Sequence, residues 1–200
     1  MEGGNAMSQL TRSDLWSLEE YASRRSQFRA EMIAHKRLRT VHLGTSVTLL
    51  FEDEKTVRYQ IQEMLRIERT FESAGIQDEL DAYNPLIPDG SNLKATMLIE
   101  YPDPQERAAR LREFKGIERQ TWVRADGFEK SFAIADEDLQ RENEEKTSSV
   151  HFLRFELTAE MRAALKAGAA LGMGIDHVAY HVEIDEIAPE TQASLVTDLA

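Results

Sequence analysis

Three histidines are the residues of this chain best suited to chemistry near neutral pH, because imidazole titrates there and readily ligates metals. In SSVHFLRFEL, strand alternation puts His151 on one face with Ser149, Leu153 and Phe155, and Arg154 on the other with Val150 and Phe152. In GIDHVAYHVEID, read as one strand, the period of two puts His177, His181, Glu183 and Asp185 on one face, opposite Val178, Tyr180, Val182 and Ile184. His181 and Glu183 then stand side by side at a separation that a metal can bridge. The chemistry implied is a divalent metal (Fe, Mn or Zn) held by His and carboxylate ligands drawn from His151, His177, His181 and Glu183. The plainer readings are a satisfied core histidine at 151 and the solvent side of an edge strand at 177–185.

A second group lies in DELDAYNPLIPDGSN, residues 78–92, which carries Asp78, Glu79, Asp81 and Asp89 with no base between Arg69 and Lys94. Tyr83-Asn84-Pro85 and Pro88-Asp89-Gly90 are turn formers, so the stretch is expected to be a stiff loop. Stiffness holds carboxylates at fixed separations, as acid–base work or hard-cation binding requires. Crowded like charges cost energy unless a cation answers them, and Arg66 and Arg69 in QEMLRIER are the expected answer. Glu63 and Arg66 form an i,i+3 pair beside Met64, Leu65 and Ile67. As a catalytic set these residues give His151, Arg66, Glu63 and Asp81. As substrate contacts they give Arg69, Arg154, Tyr83 and Asn84, Arg supplying a bidentate fork for an anion. The structural alternatives are an Ω-like loop holding its own turns and a charge clasp on a helix.

The elements that must carry these groups follow from pattern. Ser17 and Glu20 make a capping box, and Leu18, Tyr21, Arg25, Phe28, Met32 and His35 recur at helical spacing. Val47, Leu49 and Phe51 alternate, the acidic EDEK reads as a turn, and Val57 and Tyr59 resume as a hairpin; QEMLRIERTFE then reads as a helix. KATMLIEY is a strand, Asp103-Pro104 opens a helix, and TWVRADGFEKSFAIA is a hairpin around Asp126-Gly127. DEDLQRENEEKT reads as a charged connector. Thr158 caps a helix expected to run to about Leu171 and to stop at Gly172 and Gly174, and Pro189 begins a short C-terminal helix. The fold expected is α+β: a single domain over 9–187, a largely antiparallel sheet of about six strands, three or four helices, a tail at 1–8 and a helix or tail at 188–200.

Composition closes several routes. The 200 residues include no cysteine, so disulfides, thiolate metal sites and thiol nucleophiles are out. A net charge of -12 argues against nucleic acid or an anionic membrane as the main partner, and HKRLR at 35–39 reads as a solvated helix C-terminus. No apolar run reaches the roughly 18 residues of a membrane span, and the N-terminus lacks a signal-peptide pattern, so the cytoplasm is the expected location. Phosphate-loop, EF-hand, nucleophile-elbow and Glu-x-x-His patterns do not occur.

FEDEKTVRYQIQEMLRIER, GIQDELDAYNPLIPDGSNLKATMLIEYP and ENEEKTSSVHFLRFEL together resemble an uncharacterised bacterial family catalogued as a domain of unknown function (number 3501), from about Leu10 to about Glu183. The resemblance carries no catalytic residue. It implies a setting, since genes of that family often neighbour a rubrerythrin and an iron-sulfur oxidoreductase, and hence a redox or peroxide-stress pathway. Three readings result. The first is a metal-binding protein or metal-dependent enzyme of that pathway, with the acidic loop as lid. The second is a non-catalytic accessory protein docking on a rubrerythrin or iron-sulfur oxidoreductase partner. The third is a metal-free enzyme acting on an anionic metabolite through Arg66, Arg69 and Arg154. A homodimer is expected on general frequency alone.

Overall fold

The structure is a computed structural model and describes residues 9–135 and 146–200. The expected connector at 136–147 falls largely outside the described residues, as does the tail at 1–8. Among the described residues, six α-helices and two antiparallel sheets form an α+β fold. The helices are α1 (Leu18–Arg37), α2 (Glu54–Glu68), α3 (Ser73–Tyr83), α4 (Pro104–Glu113), α5 (Ala159–Lys166) and α6 (Pro189–Val196). The strands are β1 (Thr40–Leu43), β2 (Val47–Phe51), β3 (Asn92–Ile99), β4 (Thr121–Ala125), β5 (Ser131–Phe132), β6 (Ile134–Ala135), β7 (Val150–Glu156), β8 (Leu171–His177) and β9 (Tyr180–Ile184). The first sheet runs β1-β2-β3-β7-β6 and the second β5-β4-β8-β9.

Inward side chains of both sheets join one apolar cluster: Leu49, Phe51, Met97, Leu153 and Phe155 from the first, Val123, Met173 and Ile175 from the second. α6 belongs to this core, with Leu195 and Leu199 buried in it. A smaller cluster holds Leu10 and Leu15 against Val57, Ile61, Leu65, Ile76 and Leu80 of α2 and α3. Among the described residues no helix is long and apolar enough to cross a membrane.

α1 begins where its cap requires, the Ser17 hydroxyl accepting from Glu20 N. Its periodic stripe faces α2: Tyr21 and Met32 are buried, Arg25 pairs with Glu63, Phe28 packs edge-on to Tyr59, and His35 meets Asp53. Four expectations need correcting. The acidic EDEK is no turn; Asp53 caps α2, accepting from Thr56 N at 2.8 Å, and carboxylates at a helix N-terminus complement its dipole. Val57 therefore lies on a helix, in register with Ile61 and Leu65, and the first hairpin is β1–β2. Residues 78–83 belong to α3 rather than to a loop, and the turn residues begin at Asn84.

The third correction concerns α5, which ends at Lys166, with Gly168 at φ 98° just beyond it. Gly172 and Gly174 instead lie in β8, where the Trp122 ring crosses the sheet; a Cβ on Gly174 would sit 2.6 Å from Trp122 Cζ2. The fourth concerns 177–185, which is not one strand. β8 ends at His177 and β9 starts at Tyr180, paired with it, so Val178 and Ala179 form a two-residue hairpin turn.

Candidate functional site

The hairpin disperses the expected metal ligands. His177 pairs across from Tyr180, and His181 across from Asp176, so the two imidazoles face opposite sides of the sheet. His177 is buried; its Nε2–H donates to Lys115 O at 3.1 Å and its Nδ1 accepts from Ala179 N at 3.2 Å. Both ring nitrogens are used, which fixes the neutral tautomer and leaves no lone pair for a metal. His181 is exposed, 3.7 Å from Asp176, while Glu183 accepts from Arg124 at 3.2 Å. Asp176 is itself held low: burial opposes its charge, but hydrogen bonds from Lys130 and Trp122 outweigh that. Among the described residues no three His, Asp or Glu side chains gather as a metal-holding group. The set His151, His177, His181 and Glu183 is therefore not one site.

The Arg66 group resolves as a clasp. Glu63 accepts from Arg25 at 2.7 and 3.0 Å, from the Tyr21 hydroxyl at 2.5 Å and from Arg66 at 3.1 Å, locking α1 to α2. The Arg25 guanidinium, with Tyr21 and Arg66, holds the Glu63 carboxyl down at about 2 against burial. Arg69 closes α2 in the left-handed region at φ 55°. Asp81 accepts from Gln77 one turn earlier on the exposed face of α3. Tyr83 is half-buried against the smaller cluster, and the Asn84 amide both accepts from Leu10 N and donates to Leu10 O at 2.9 Å. Arg154 pairs with Glu156 along β7. None of these groups converges on His151.

What does converge on His151 was not in the expected set. β7 turns His151, Leu153 and Phe155 inward, as alternation requires. After α4 the chain bends at Gly116, φ 83°, into a 3-10 turn (Ile117–Gln120) that drives Glu118 into the interior. Glu118 is 2% exposed, and His151 and Thr147 are each 1%. The His151 Nε2 stands 4.0 Å from Glu118 Oε2, 3.0 Å from Ser148 O and 2.9 Å from the Thr147 hydroxyl. A carbonyl only accepts, so the bond to Ser148 O requires a proton on Nε2. Thr147 is held in turn by its own N–H, which donates to Leu111 O. Thr121 and Met97 lie close by, their Oγ1 and Sδ atoms 3.9 Å apart, and Met97 is the cross-strand neighbour of His151.

Glu118 Oε2 is fully enclosed and has no hydrogen-bond partner among the described residues. A buried polar atom left unsatisfied costs about 1–3 kcal/mol, more when charged, so such atoms in folded proteins call for an explanation. A carboxylate and an imidazole within one atom's reach of each other can pass a proton to and from a ligand placed against both. No other group of described residues combines burial, an orphan oxygen and a second proton-carrying side chain.

Another missed group is structural. Arg39, inside the HKRLR stretch, is 1% exposed rather than solvated. It donates to Phe51 O at 3.0 Å and to Glu52 O at 3.1 Å, and it pairs with Asp198 beyond α6. His35 donates to Asp53 Oδ2 at 2.6 Å beside it. Burial pushes the Asp198 carboxyl up to about 6 despite the Arg39 charge. The short helix-closing run is thus the anchor for the C-terminal segment.

A family model described as "Protein of unknown function (DUF3501)" matches residues 9–199. A solved structure described as a novel protein of unknown function from Burkholderia pseudomallei K96243 is similar at 54% identity and a TM-score of 0.92, over 96% of this chain and 100% of that one. No curated protein matches.

Proposed function

The chain belongs to the DUF3501 family of proteins of unknown function, and from that premise we propose that it is a small-molecule enzyme working by proton transfer at the Glu118–His151 pair. The observation that carries this reading is the enclosed Glu118 oxygen without a hydrogen-bond partner among the described residues, 4.0 Å from an imidazole nitrogen that bears a proton. Glu118 would take a proton from a bound ligand and return the same proton to it at a neighbouring atom, or hold its cationic or hydroxyl group, while the His151 Nε2–H donates a hydrogen bond to the ligand. Thr147, which touches both the ring and the main chain of α4, would position the imidazole. Because both side chains are buried, a ligand held against them is small and polar.

A redox setting, with a rubrerythrin or an iron-sulfur oxidoreductase as partner, is compatible with such a chain. With no cysteine of its own it would handle protons, and electrons would reside in the partner or in a bound cofactor.

The test is a thermal-shift screen of small polar metabolites against the wild type, Glu118→Gln and His151→Gln. A ligand present at 100 times its Kd stabilises by about 2.7 kcal/mol, worth roughly 5–10 °C for a chain of this size. The proposal expects at least one compound giving such a gain in the wild type and little in either variant. Gains that both variants retain in full would refute it.

A further inference from the structure

Independently of that site, we propose that the corner joining α2 to α3 is a docking surface for a partner protein presenting a basic segment with an apolar side chain at its centre. Ile67 and Phe71 stand 61% and 62% exposed there, and Phe71 is the most exposed aromatic ring among the described residues. They sit four residues apart, on the last turn of α2 and in the linker that follows. Two large apolar side chains held out at one corner are a ready-made anchor, because burying each is worth roughly 1.5–3 kcal/mol.

Charge identifies the occupant. From residue 67 to residue 83 the corner carries Glu68, Glu72, Asp78, Glu79 and Asp81 against Arg69 alone. The neighbouring Arg66 is already engaged by Glu63. Burial first, and then the neighbouring Glu68 and Asp78 charges, raise the Glu79 carboxyl above its usual range. Lysines or arginines flanking an inserted apolar side chain would relieve that repulsion. A second copy of this chain would worsen it, since each copy brings the same acidic corner and a net charge of -12. Glu72 is the N-cap residue of α3 and complements that helix's dipole, whereas Asp78, Glu79 and Asp81 lie beyond its first turn and have no such role.

The experiment measures binding of a fluorescent, helical lysine–leucine peptide by anisotropy, with its glutamate–leucine counterpart as control, at low and moderate salt. The wild type should bind the lysine peptide and not the glutamate peptide. Ile67→Ser with Phe71→Ser should weaken binding at least tenfold. Asp78→Asn with Glu79→Gln and Asp81→Asn should weaken it about fivefold and flatten its salt dependence, whereas Asp126→Asn with Glu129→Gln in the β4–β5 turn of the second sheet should change it less than twofold. All the substituted side chains are exposed or nearly so, and an unchanged melting temperature confirms each fold. Equal binding by the Ser double variant, or equal weakening by the β4–β5 control, would reduce the effect to general charge adhesion and overturn the proposal. So would a wild-type dimer in sedimentation that Phe71→Ser dissolves, since that would make the corner a contact between copies.

Discussion

Replacing Glu118 separates a functional carboxylate from a structural one by the sign of a stability change. If Glu118 is an orphan kept for chemistry, Glu118→Met removes a buried unsatisfied oxygen and fills the same space with an apolar chain. Removing that penalty, about 1–3 kcal/mol, should stabilise the fold, as substitution at reactive sites commonly does. At roughly 2–4 °C per kcal/mol for a chain of this length, the melting temperature should rise by roughly 2–12 °C. The competing account makes Glu118 the counter-ion of a charged His151. At 4.0 Å and an effective dielectric of about 20, that attraction is about 4 kcal/mol, and deleting one partner of a buried pair costs about 3–5 kcal/mol. The two accounts differ in sign and by several kcal/mol, well beyond the error of urea unfolding monitored by circular dichroism. Glu118→Gln serves as the near-isosteric control, expected between neutral and mildly stabilising. A loss of 2 kcal/mol or more in both variants would refute the reasoning.

Three further outcomes follow from the geometry. Glu63, depressed to about 2 in the fold, contributes stability that is present above the ordinary carboxylate range and lost as pH falls through about 2. Glu63→Gln should therefore cost about 2 kcal/mol at pH 7, after discounting for the partly exposed Arg25, and lose most of that difference in acid titrations of unfolding. Asp198 runs the other way: raised to about 6, it contributes stability that is complete below its ordinary value and lost as pH rises through 6. Asp198→Asn should flatten stability between about pH 4 and pH 6 by at most about 3 kcal/mol, read from melting temperature against pH. Gly174→Ala would force a Cβ to 2.6 Å from Trp122 Cζ2 and 2.3 Å from Val182 O. It should destabilise by about 3 kcal/mol and shift tryptophan fluorescence, whereas Gly127→Ala, with open space around it, should leave the fluorescence unchanged.

Local signals in the sequence match the structure where a physical rule acts over a few residues. Ser17, Asp103 and Thr158 cap their helices as expected, and alternation assigns the faces of β7 correctly. The errors share one cause, a pattern with two local solutions that tertiary contact decides. EDEK suits a turn or a helix N-terminus equally, and the packing of Val57, Ile61 and Leu65 selects the helix. HVAYHVEID keeps a period of two through a two-residue hairpin turn, so alternation alone cannot show that His177 and His181 part company. Gly172 and Gly174 read as helix stops because nothing local reveals that the Ile184–Asp185 main chain closes on the first and that Trp122, some fifty residues earlier, lies across the second. The candidate site was half legible. His151 stood out as an imidazole on an apolar face, but Glu118 lies in an ordinary polar stretch, GIERQ, and its partner is 33 residues away. Arg39 and Asp198 meet across 159 residues of sequence, a distance no local pattern encodes.

The measurement that tests the central claim most directly is a long-range proton–nitrogen NMR spectrum of the His151 ring, recorded while titrating in the metabolite that most stabilises the wild type. Contact at the Glu118–His151 pair predicts a saturable change at Nε2, with the same apparent affinity as the thermal gain, and its loss in Glu118→Gln. An Nε2 signal that stays fixed while the ligand saturates the protein would contradict the account.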